Sequence, residues 1–205
     1  MALISNAKGR REDETPSGYE RLFGNRKLGM LISKVQASVI STGNELENIL
    51  ASKIKDRQGV SIQNINKTNR IFSSIKHGHD IIIDCVVNKN GKVYLIEIKD
   101  GDTFDTKKVA GELESLKLVR GYLKKKGITN VEIKFCSFNA ESHEQIKKGA
   151  KGLLEESMAM TGKELCSLLG LVFENVVEER KEHQKENLEY FVNELKKIPE
   201  IHSKL

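Results

Sequence analysis

The dipeptide Asn90-Gly91 separates two short apolar runs, and this arrangement constrains the local fold more than any other feature of the chain. The runs extend over 81–87 and 93–98 and are rich in β-branched residues. Asn-Gly between two such runs is the strongest short-range signal for a β-hairpin with a two-residue turn. The sequence therefore predicts two adjacent antiparallel strands on either side of this turn.

The same turn brings two carboxylates and an amine together. If Lys89 faces Lys92 across the turn, then Asp84 lies directly opposite Glu97. Side chains alternate along a strand, so Lys99 shares the face of Glu97, and the directly paired Asp84 points the same way. Neighbouring carboxylates repel one another unless a divalent cation lies between them, and oxygen ligands favour Mg²⁺ or Mn²⁺. This pattern favours metal-assisted hydrolysis of a phosphodiester.

The set Asp84, Glu97 and Lys99 resembles the motif of the PD-(D/E)xK nuclease superfamily. That superfamily includes most type II restriction endonucleases, Holliday-junction resolvases and Mrr-like enzymes. Ile-Asp84-Cys stands here in place of the proline–aspartate pair. The resemblance extends to Gly43-Asn-Glu-Leu-Glu47, because in such nucleases a helix before the sheet often carries a Gly-x-x-x-Glu element whose carboxylate points at the metal.

The resemblance also implies a role for each residue of the motif. Asp84 and Glu97, with the backbone carbonyl of Ile98, are expected to hold Mg²⁺, for which Mn²⁺ is expected to substitute. Lys99 is expected to contact the attacked phosphate or the nucleophilic water. Glu47 is a further candidate catalytic carboxylate, although glutamates on helix surfaces are common.

Two alternatives to this assignment stay open. Asp80 is a second candidate for the first aspartate, since it is expected on the same face of the same strand, four residues before Asp84. Asp84 is preferred because the turn places it opposite Glu97. The second alternative is that the acidic pair and Lys99 form only a structural ion pair on an exposed sheet face. The isoleucines that flank these residues indicate inner strands, where an isolated cluster of charges is costly.

The other elements follow the order helix, three strands, helix, strand, which is the core order of the superfamily. Apolar spacing predicts helices over 28–55, with a break at Thr42-Gly43, and a long helix over 106–126. Residues 60–75 are interpreted as one strand or a bent pair, and 131–138 as a strand reached by a right-handed crossover. We therefore expect an α/β fold with a restriction-endonuclease-like core, a central mixed sheet and additional C-terminal helices.

Composition and spacing divide the chain into three predicted segments. Residues 1–27 are predicted to form a flexible basic arm, 28–140 the nuclease core, and 141–205 a helical extension packed on the core. The apolar stretch 165–177 is interpreted either as a buried helix or, as a slightly favoured alternative, as part of a homodimer interface. A two-fold dimer suits an enzyme that cuts both strands with one active site per chain.

Charge and composition indicate a DNA-binding protein of the cytoplasm. The net charge of +5 favours a polyanionic partner, and no apolar run approaches the ~20 residues of a membrane span. The three cysteines are widely separated in apolar runs and indicate reduced core thiols. Double-stranded DNA is the expected partner. The candidate contacts are Lys107, Lys108, Arg70, His77 and His79.

Three functions are compatible with these features. The leading one is a Mg²⁺-dependent type II restriction endonuclease, for which the resemblance implies a cognate DNA methyltransferase encoded separately. The second is a structure-directed nuclease, such as a Holliday-junction resolvase or a repair endonuclease. The third is a catalytically inactive DNA-binding protein of the same fold, against which the complete set of Asp84, Glu97 and Lys99 argues.

Overall fold

The computed structural model describes most of the chain, and for the strands between 61 and 80 it describes the backbone alone. The described ranges are 3–10, 14–54, 61–65, 70–74, 79–101 and 104–202. Residues 1–45 together with 176–205 form one compact unit, and 46–175 form the other. Helices α2 (Arg26–Ile54) and α6 (Phe173–Lys196) each contribute to both.

The unit formed by 46–175 is built around a mixed sheet. The described strands are β1 (Ser61–Ile65), β2 (Arg70–Ser74), β3 (His79–Ile82), β4 (Cys85–Lys89), β5 (Lys92–Lys99), β6 (Val131–Ser137) and β7 (Ala159–Thr161). Five of them form one sheet in the order β1-β4-β5-β6-β7, while β2 pairs with β3 in a separate two-stranded sheet. The β1–β4 and β4–β5 pairs are antiparallel, and β5–β6 and β6–β7 are parallel. The predicted α/β class with a central mixed sheet is therefore confirmed.

The β4–β5 hairpin has the predicted turn and register. Asn90 has φ 52° and Gly91 has φ 74°, the pair of positive values that a type I′ turn requires. Lys89 pairs with Lys92, as predicted, and the paired ladder ends at Cys85 opposite Ile96. The position of Asp84 opposite Glu97 is the next step of this register.

The first strand of the hairpin is shorter than predicted. The expected continuous run over 81–87 is interrupted: β3 ends at Ile82, Asp84 lies in a bend, and β4 begins at Cys85. The carboxylate of Asp84 accepts the N–H of Ile98 at 2.9 Å. A side-chain oxygen thus satisfies this donor next to the point where the β4–β5 ladder ends, at Cys85 and Ile96.

Helices are described throughout the chain, and the predicted bounds of α2 and α3 are close to the observed ones. The described helices are α1 (Gly18–Phe23), α2, α3 (Thr106–Lys125), α4 (His143–Gly149), α5 (Gly162–Leu169), α6 and α7 (Pro199–His202), with 3₁₀ turns at Ile4–Asn6 and Glu156–Met158. Helix α3 connects β5 to the parallel strand β6, as the predicted crossover requires. None of the helices in the described part of the chain is long and apolar enough to cross a membrane.

Two predicted features of the helical regions are wrong. Helix α2 passes through Thr42 and Gly43 without a break, because a single helical glycine costs only about 1 kcal/mol. Strand β7 was expected to be helical; three residues are too few to show the alternation that identifies a strand.

The compact units do not follow the predicted segment boundaries. Because β7 pairs with β6, residues well beyond 140 belong to the same unit as the sheet. Within 1–27, predicted as a flexible arm, Ile4 is buried and helix α1 is capped by Ser17, whose hydroxyl oxygen accepts the N–H of Glu20 at 3.1 Å. In the stretch 165–177, the side chains of Leu165, Cys166, Leu169 and Val176 are buried.

Helix α3 covers the sheet face on which the acidic residues lie. Its buried side chains join one hydrophobic cluster with residues of the central strands. That cluster includes Val86, Val93, Leu95, Ile133 and Phe135 from the sheet and Val109, Leu113, Leu116 and Val119 from α3. Glu97 is two residues from Leu95 and therefore lies on the same face. This packing places the end of β5 next to the first turns of α3.

Candidate active site

The first part of the candidate site is the acidic pair at the end of the hairpin. The Asp84 side chain is held by its bond from the Ile98 N–H, which leaves the carboxylate next to the end of β5. Glu97 occupies the facing position, and the charge of Asp84 is one of the causes that raise its pKa. The structure thus brings Asp84 and Glu97 together in the way that the hairpin register predicts.

Glu97 is a buried carboxyl group in an acidic environment. Its residue is 8% exposed. Burial is the largest cause that raises the pKa of Glu97 to about 9, and the carboxylates of Asp84 and Glu112 add to it, while Lys99 opposes it. A positive charge placed beside this carboxyl group would offset both the cost of burying its negative charge and the repulsion from its acidic neighbours.

Lys99 is held by two glutamates from different elements. Its Nζ lies 2.7 Å from Oε1 of Glu97 on β5 and 2.6 Å from Oε1 of Glu112 on α3. Burial lowers the pKa of Lys99, but the two carboxylates more than offset that effect, so its pKa is raised. Lys99 is therefore a fixed ammonium group at the acidic pair.

Glu112 is the site residue that sequence reasoning missed. It follows Val109 by three residues and precedes Leu116 by four, a spacing that places it on the buried face of α3. A charged residue at an apolar-stripe position was the signal that could have identified it. Its second oxygen, Oε2, is buried and has no hydrogen-bond partner among the described residues.

A cavity of about 340 Å³ opens at this cluster. Asp84, Glu97 and Glu112 lie on its wall together with Lys107 and Lys108 of the first turn of α3. Both lysines are exposed, and their backbone N–H groups are capped by the Asp105 carboxylate. The two predicted DNA contacts are thus at the same opening as the acidic pair, with their ammonium groups rather than their amides available to a phosphate.

Glu47, the predicted helix carboxylate, is placed on α2 and is buried. Burial raises the pKa of Cys85 to about 12, and the charges of Asp84 and then Glu47 are smaller causes of that shift. Glu47 is thus close enough to act on Cys85, the neighbour of Asp84 in sequence. This position is compatible with the predicted role.

Asp80, the alternative to Asp84 as the first aspartate, does not share a strand with Asp84. Asp80 belongs to β3 and pairs with Ser73 of β2, in the two-stranded sheet. The assumption that one strand carries both Asp80 and Asp84 is therefore wrong, because the chain bends between them. The side chain of Asp80 lies outside the described part of the structure.

The remaining predicted DNA contacts lie in the segment before the hairpin. Arg70 is the first residue of β2 and His79 the first of β3, and only their backbone positions are described. His77 lies outside the described residues.

The donor set fits a divalent cation. Two carboxylates, those of Glu97 and Glu112, contact the Lys99 ammonium, and Asp84 acts on Glu97, so the four groups have a net charge of −2 when all are ionised. The available donors are oxygens, which is the ligand type that Mg²⁺ prefers. Within the described ranges no three His, Cys, Asp or Glu side chains are grouped closely enough to hold a metal ion. A cation bound by Asp84 and Glu97 would therefore need backbone oxygen or water as well.

An acidic pair with a lysine, at the end of a hairpin in a mixed α/β sheet, defines a candidate nuclease site. The chain is 35% identical over 221 residues to the type II restriction enzyme HhaII of Haemophilus parahaemolyticus, and the alignment covers 98% of this chain and 96% of that protein. The chain therefore belongs to this family of type II restriction enzymes, which places it among the site-specific deoxyribonucleases. No family model and no solved structure matches it.

Proposed function

We propose that the chain is a Mg²⁺-dependent restriction endonuclease that hydrolyses both strands of duplex DNA at a specific sequence. The observation that carries this proposal is the placement of Asp84 opposite Glu97, with Lys99 fixed beside them, in a chain of the restriction enzyme family. The element order α2, β1, β4, β5, α3, β6 supports a restriction-endonuclease-like core.

In this proposal the hairpin supplies the metal ligands. Asp84 and Glu97, with the backbone carbonyl of Ile98, hold Mg²⁺, and Mn²⁺ substitutes for it. When held by these residues, Mg²⁺ would supply a water of lowered pKa and a positive charge next to the phosphate. Lys99 donates to the attacked phosphate or to the nucleophilic water, where a fixed positive charge stabilises the transition state. Glu47 adds a carboxylate from the end of α2.

The DNA backbone would be held at the opening of the cavity. Lys107 and Lys108 are exposed on its wall, so their ammonium groups bind the phosphates that flank the scissile bond. Arg70, His77 and His79, from the segment before the hairpin, are proposed as further DNA contacts. Such phosphate contacts make binding strongly dependent on salt.

A homodimer and a separately encoded methyltransferase complete the proposal. One active site per chain cuts one strand, and two chains related by a two-fold axis cut both. A methyltransferase of the same sequence specificity would protect the host DNA, and the cytoplasm is the proposed compartment. A structure-directed nuclease is the second candidate, but the match over 98% of the chain to a restriction enzyme favours the first.

The test is cleavage of plasmid and phage DNA with Mg²⁺ and with EDTA. The wild-type protein is compared with Asp84→Ala and Lys99→Ala. Discrete bands that require Mg²⁺ and are lost in both variants support the proposal. If duplex DNA stays intact while four-way junctions or mismatched duplexes are cut, the second candidate is correct. If the protein cuts none of these DNA substrates, with Mg²⁺ or with Mn²⁺, the proposal that it is a nuclease is wrong.

A further inference from the structure

We infer that Glu112 is a positioning residue that holds the Lys99 ammonium in its working place when Glu97 binds the metal. This inference rests on the proposed function, since it assigns a role to Lys99 and Glu97 in the same reaction. It adds a residue from α3 that the nuclease motif does not contain.

The geometry shows why a second anchor for Lys99 matters. Nζ of Lys99 lies almost equally close to Glu97, at 2.7 Å, and to Glu112, at 2.6 Å. A divalent cation bound to Glu97 competes with the ammonium group for the same carboxylate, so that hydrogen bond weakens. The charge-assisted bond to Glu112 would remain, since Glu112 is not one of the proposed metal ligands and does not give up its contact with Lys99 to the cation.

A purely structural role explains Glu112 poorly. The residue stands in the apolar stripe of α3, between Val109 and Leu116, where an apolar side chain would join the hydrophobic cluster. The side chains of Glu112 and Lys99 are only 23% and 29% exposed, so the cost of removing the two charges from water offsets part of their attraction. The Oε2 atom also lacks a hydrogen-bond partner among the residues that the structure describes, which adds an unfavourable term. These disadvantages are explained if Glu112 serves Lys99.

The side chain of lysine makes such an anchor useful. Its flexible four-carbon stem carries a compact charge, so an unanchored Lys99 would sample many positions. Helix α3 is fixed to the sheet by Val109, Leu113 and Leu116, all of them buried. Glu112 therefore transmits the rigidity of the helix to the ammonium group, as hydrogen-bonded outer partners do for metal ligands.

The decisive experiment is a double-mutant cycle on single-turnover DNA cleavage with Mg²⁺. Glu112→Gln keeps the size of the side chain and removes its charge, and Lys99→Met removes the ammonium. We expect Glu112→Gln to slow cleavage by about 10- to 100-fold in the wild-type background, the usual effect of losing such a partner. In the Lys99→Met background it should have no further effect, because a residue that acts through Lys99 has nothing left to position.

The matched control is Glu114→Gln on the same helix. Glu114 is exposed and two residues away, so its replacement removes the same charge without touching the cluster. Its cleavage rate should stay within about two-fold of wild type. Glu112→Asp is the conservative variant and should recover part of the rate, since it restores the charge at a shorter reach.

Metal binding separates positioning from ligation. Calorimetric titration with Mg²⁺ in the absence of DNA should give wild type and Glu112→Gln affinities within about three-fold of each other. An affinity at least tenfold weaker would show that Glu112 is itself a metal ligand, and would overturn the inference. A slowing by Glu112→Gln that persists in the Lys99→Met background would overturn it as well.

Failure of the proposed function is distinguishable from failure of this inference. If wild type cuts no DNA, the proposed function fails. The double-mutant cycle of Glu112→Gln and Lys99→Met is then carried out with the melting temperature in EDTA as the measured quantity. Non-additive shifts for Glu112→Gln and Lys99→Met would support the anchoring of Lys99, and additive shifts would overturn it. If wild type cuts DNA and Glu112→Gln cuts it equally fast, the inference fails alone.

Discussion

Strand β5 carries a lysine at each end, and the two make similar hydrogen bonds in opposite surroundings. Lys92, at its start, lies 2.6 Å from Glu132 of β6, which Lys134 also approaches at 3.5 Å. Lys99, at its end, lies 2.7 Å from Glu97 and joins a cluster with a surplus of carboxylates. One sheet therefore holds a cluster with more lysines than carboxylates and another with more carboxylates than lysines.

Burial and charge balance, not bond length, distinguish the two clusters. At the start of β5, hydrogen bonding to Lys92 is the largest cause that lowers the pKa of the half-buried Glu132. At the end of the strand, burial is the largest cause that raises the pKa of Glu97. The first cluster has an excess of positive charge and partial access to water, whereas the second has an excess of carboxylates away from water. Under the proposed function, only the second would gain from an added cation. The length of an ion pair does not distinguish the two.

The largest expected difference between the two clusters is in catalysis. Lys99→Met should slow DNA cleavage by about 10²- to 10³-fold, because it removes a preorganised charge at the reacting phosphate. Lys92→Met removes an equally short hydrogen bond and should leave the rate within about two-fold. Single-turnover rates with saturating Mg²⁺ measure both. Equal losses in the two variants would mean that the cluster of Lys99 has no special role.

The next effect is stabilisation by a divalent cation. At a Ca²⁺ concentration of 100 times the Kd, a cation bound only by the folded state stabilises it by about 2.7 kcal/mol, or roughly 5–10 °C in melting temperature for a chain of this size. Asp84→Asn and Glu97→Gln should abolish this shift. Glu132→Gln should keep the full shift in melting temperature. Calorimetric melting curves with and without Ca²⁺ measure the shift for each variant. A wild-type shift that survives Asp84→Asn would place the cation elsewhere.

Much of this contrast could be read from the sequence around the hairpin. Asn90-Gly91 fixes the register by local turn chemistry, so the pairing of Lys89 with Lys92 and the approach of Asp84 to Glu97 followed from counting. The crossover to β6 followed from a strand–helix–strand pattern. Both rest on short-range rules, which depend little on the rest of the chain.

What the sequence could not show depends on packing between distant elements. Glu112 joins Lys99 because α3 lies across the sheet, and no local pattern gives the angle of that helix. The bend at Asp84, which removes Asp80 from the strand, depends on a bond to Ile98 on the other strand. The pairing of β7 with β6 joins residues about twenty-four positions apart through three residues, too few for a periodic signal.

The pH dependence of stability should have opposite signs at the two clusters. The folded pKa of Glu97 is raised to about 9 from the ordinary 4.5, first by burial and then by Asp84. Between these values the folded state holds a proton that the unfolded state has lost, so metal-free stability falls as pH rises through this window. Glu97→Gln should flatten that slope, and urea unfolding in EDTA from pH 5 to 9 measures it. An unchanged slope would show that Glu97 is ionised throughout.

The smallest expected effect is the contribution of Glu132 to the pH dependence of stability, and its sign is opposite to that of Glu97. Its pKa is lowered by the hydrogen bond from Lys92, so its contribution is present above the ordinary pKa of 4.5 and is lost as pH falls through the lower folded value. Because the side chains of Lys92 and Glu132 are 32% and 41% exposed and water screens their attraction, Glu132→Gln should change the melting temperature at pH 7 by less than about 2 °C. The difference from wild type should shrink further in 0.5 M salt, whereas the buried cluster of Glu97 is screened much less. If Glu132→Gln and Glu112→Gln lowered the melting temperature equally, both at low salt and in 0.5 M salt, burial would not be what distinguishes the two ends of β5.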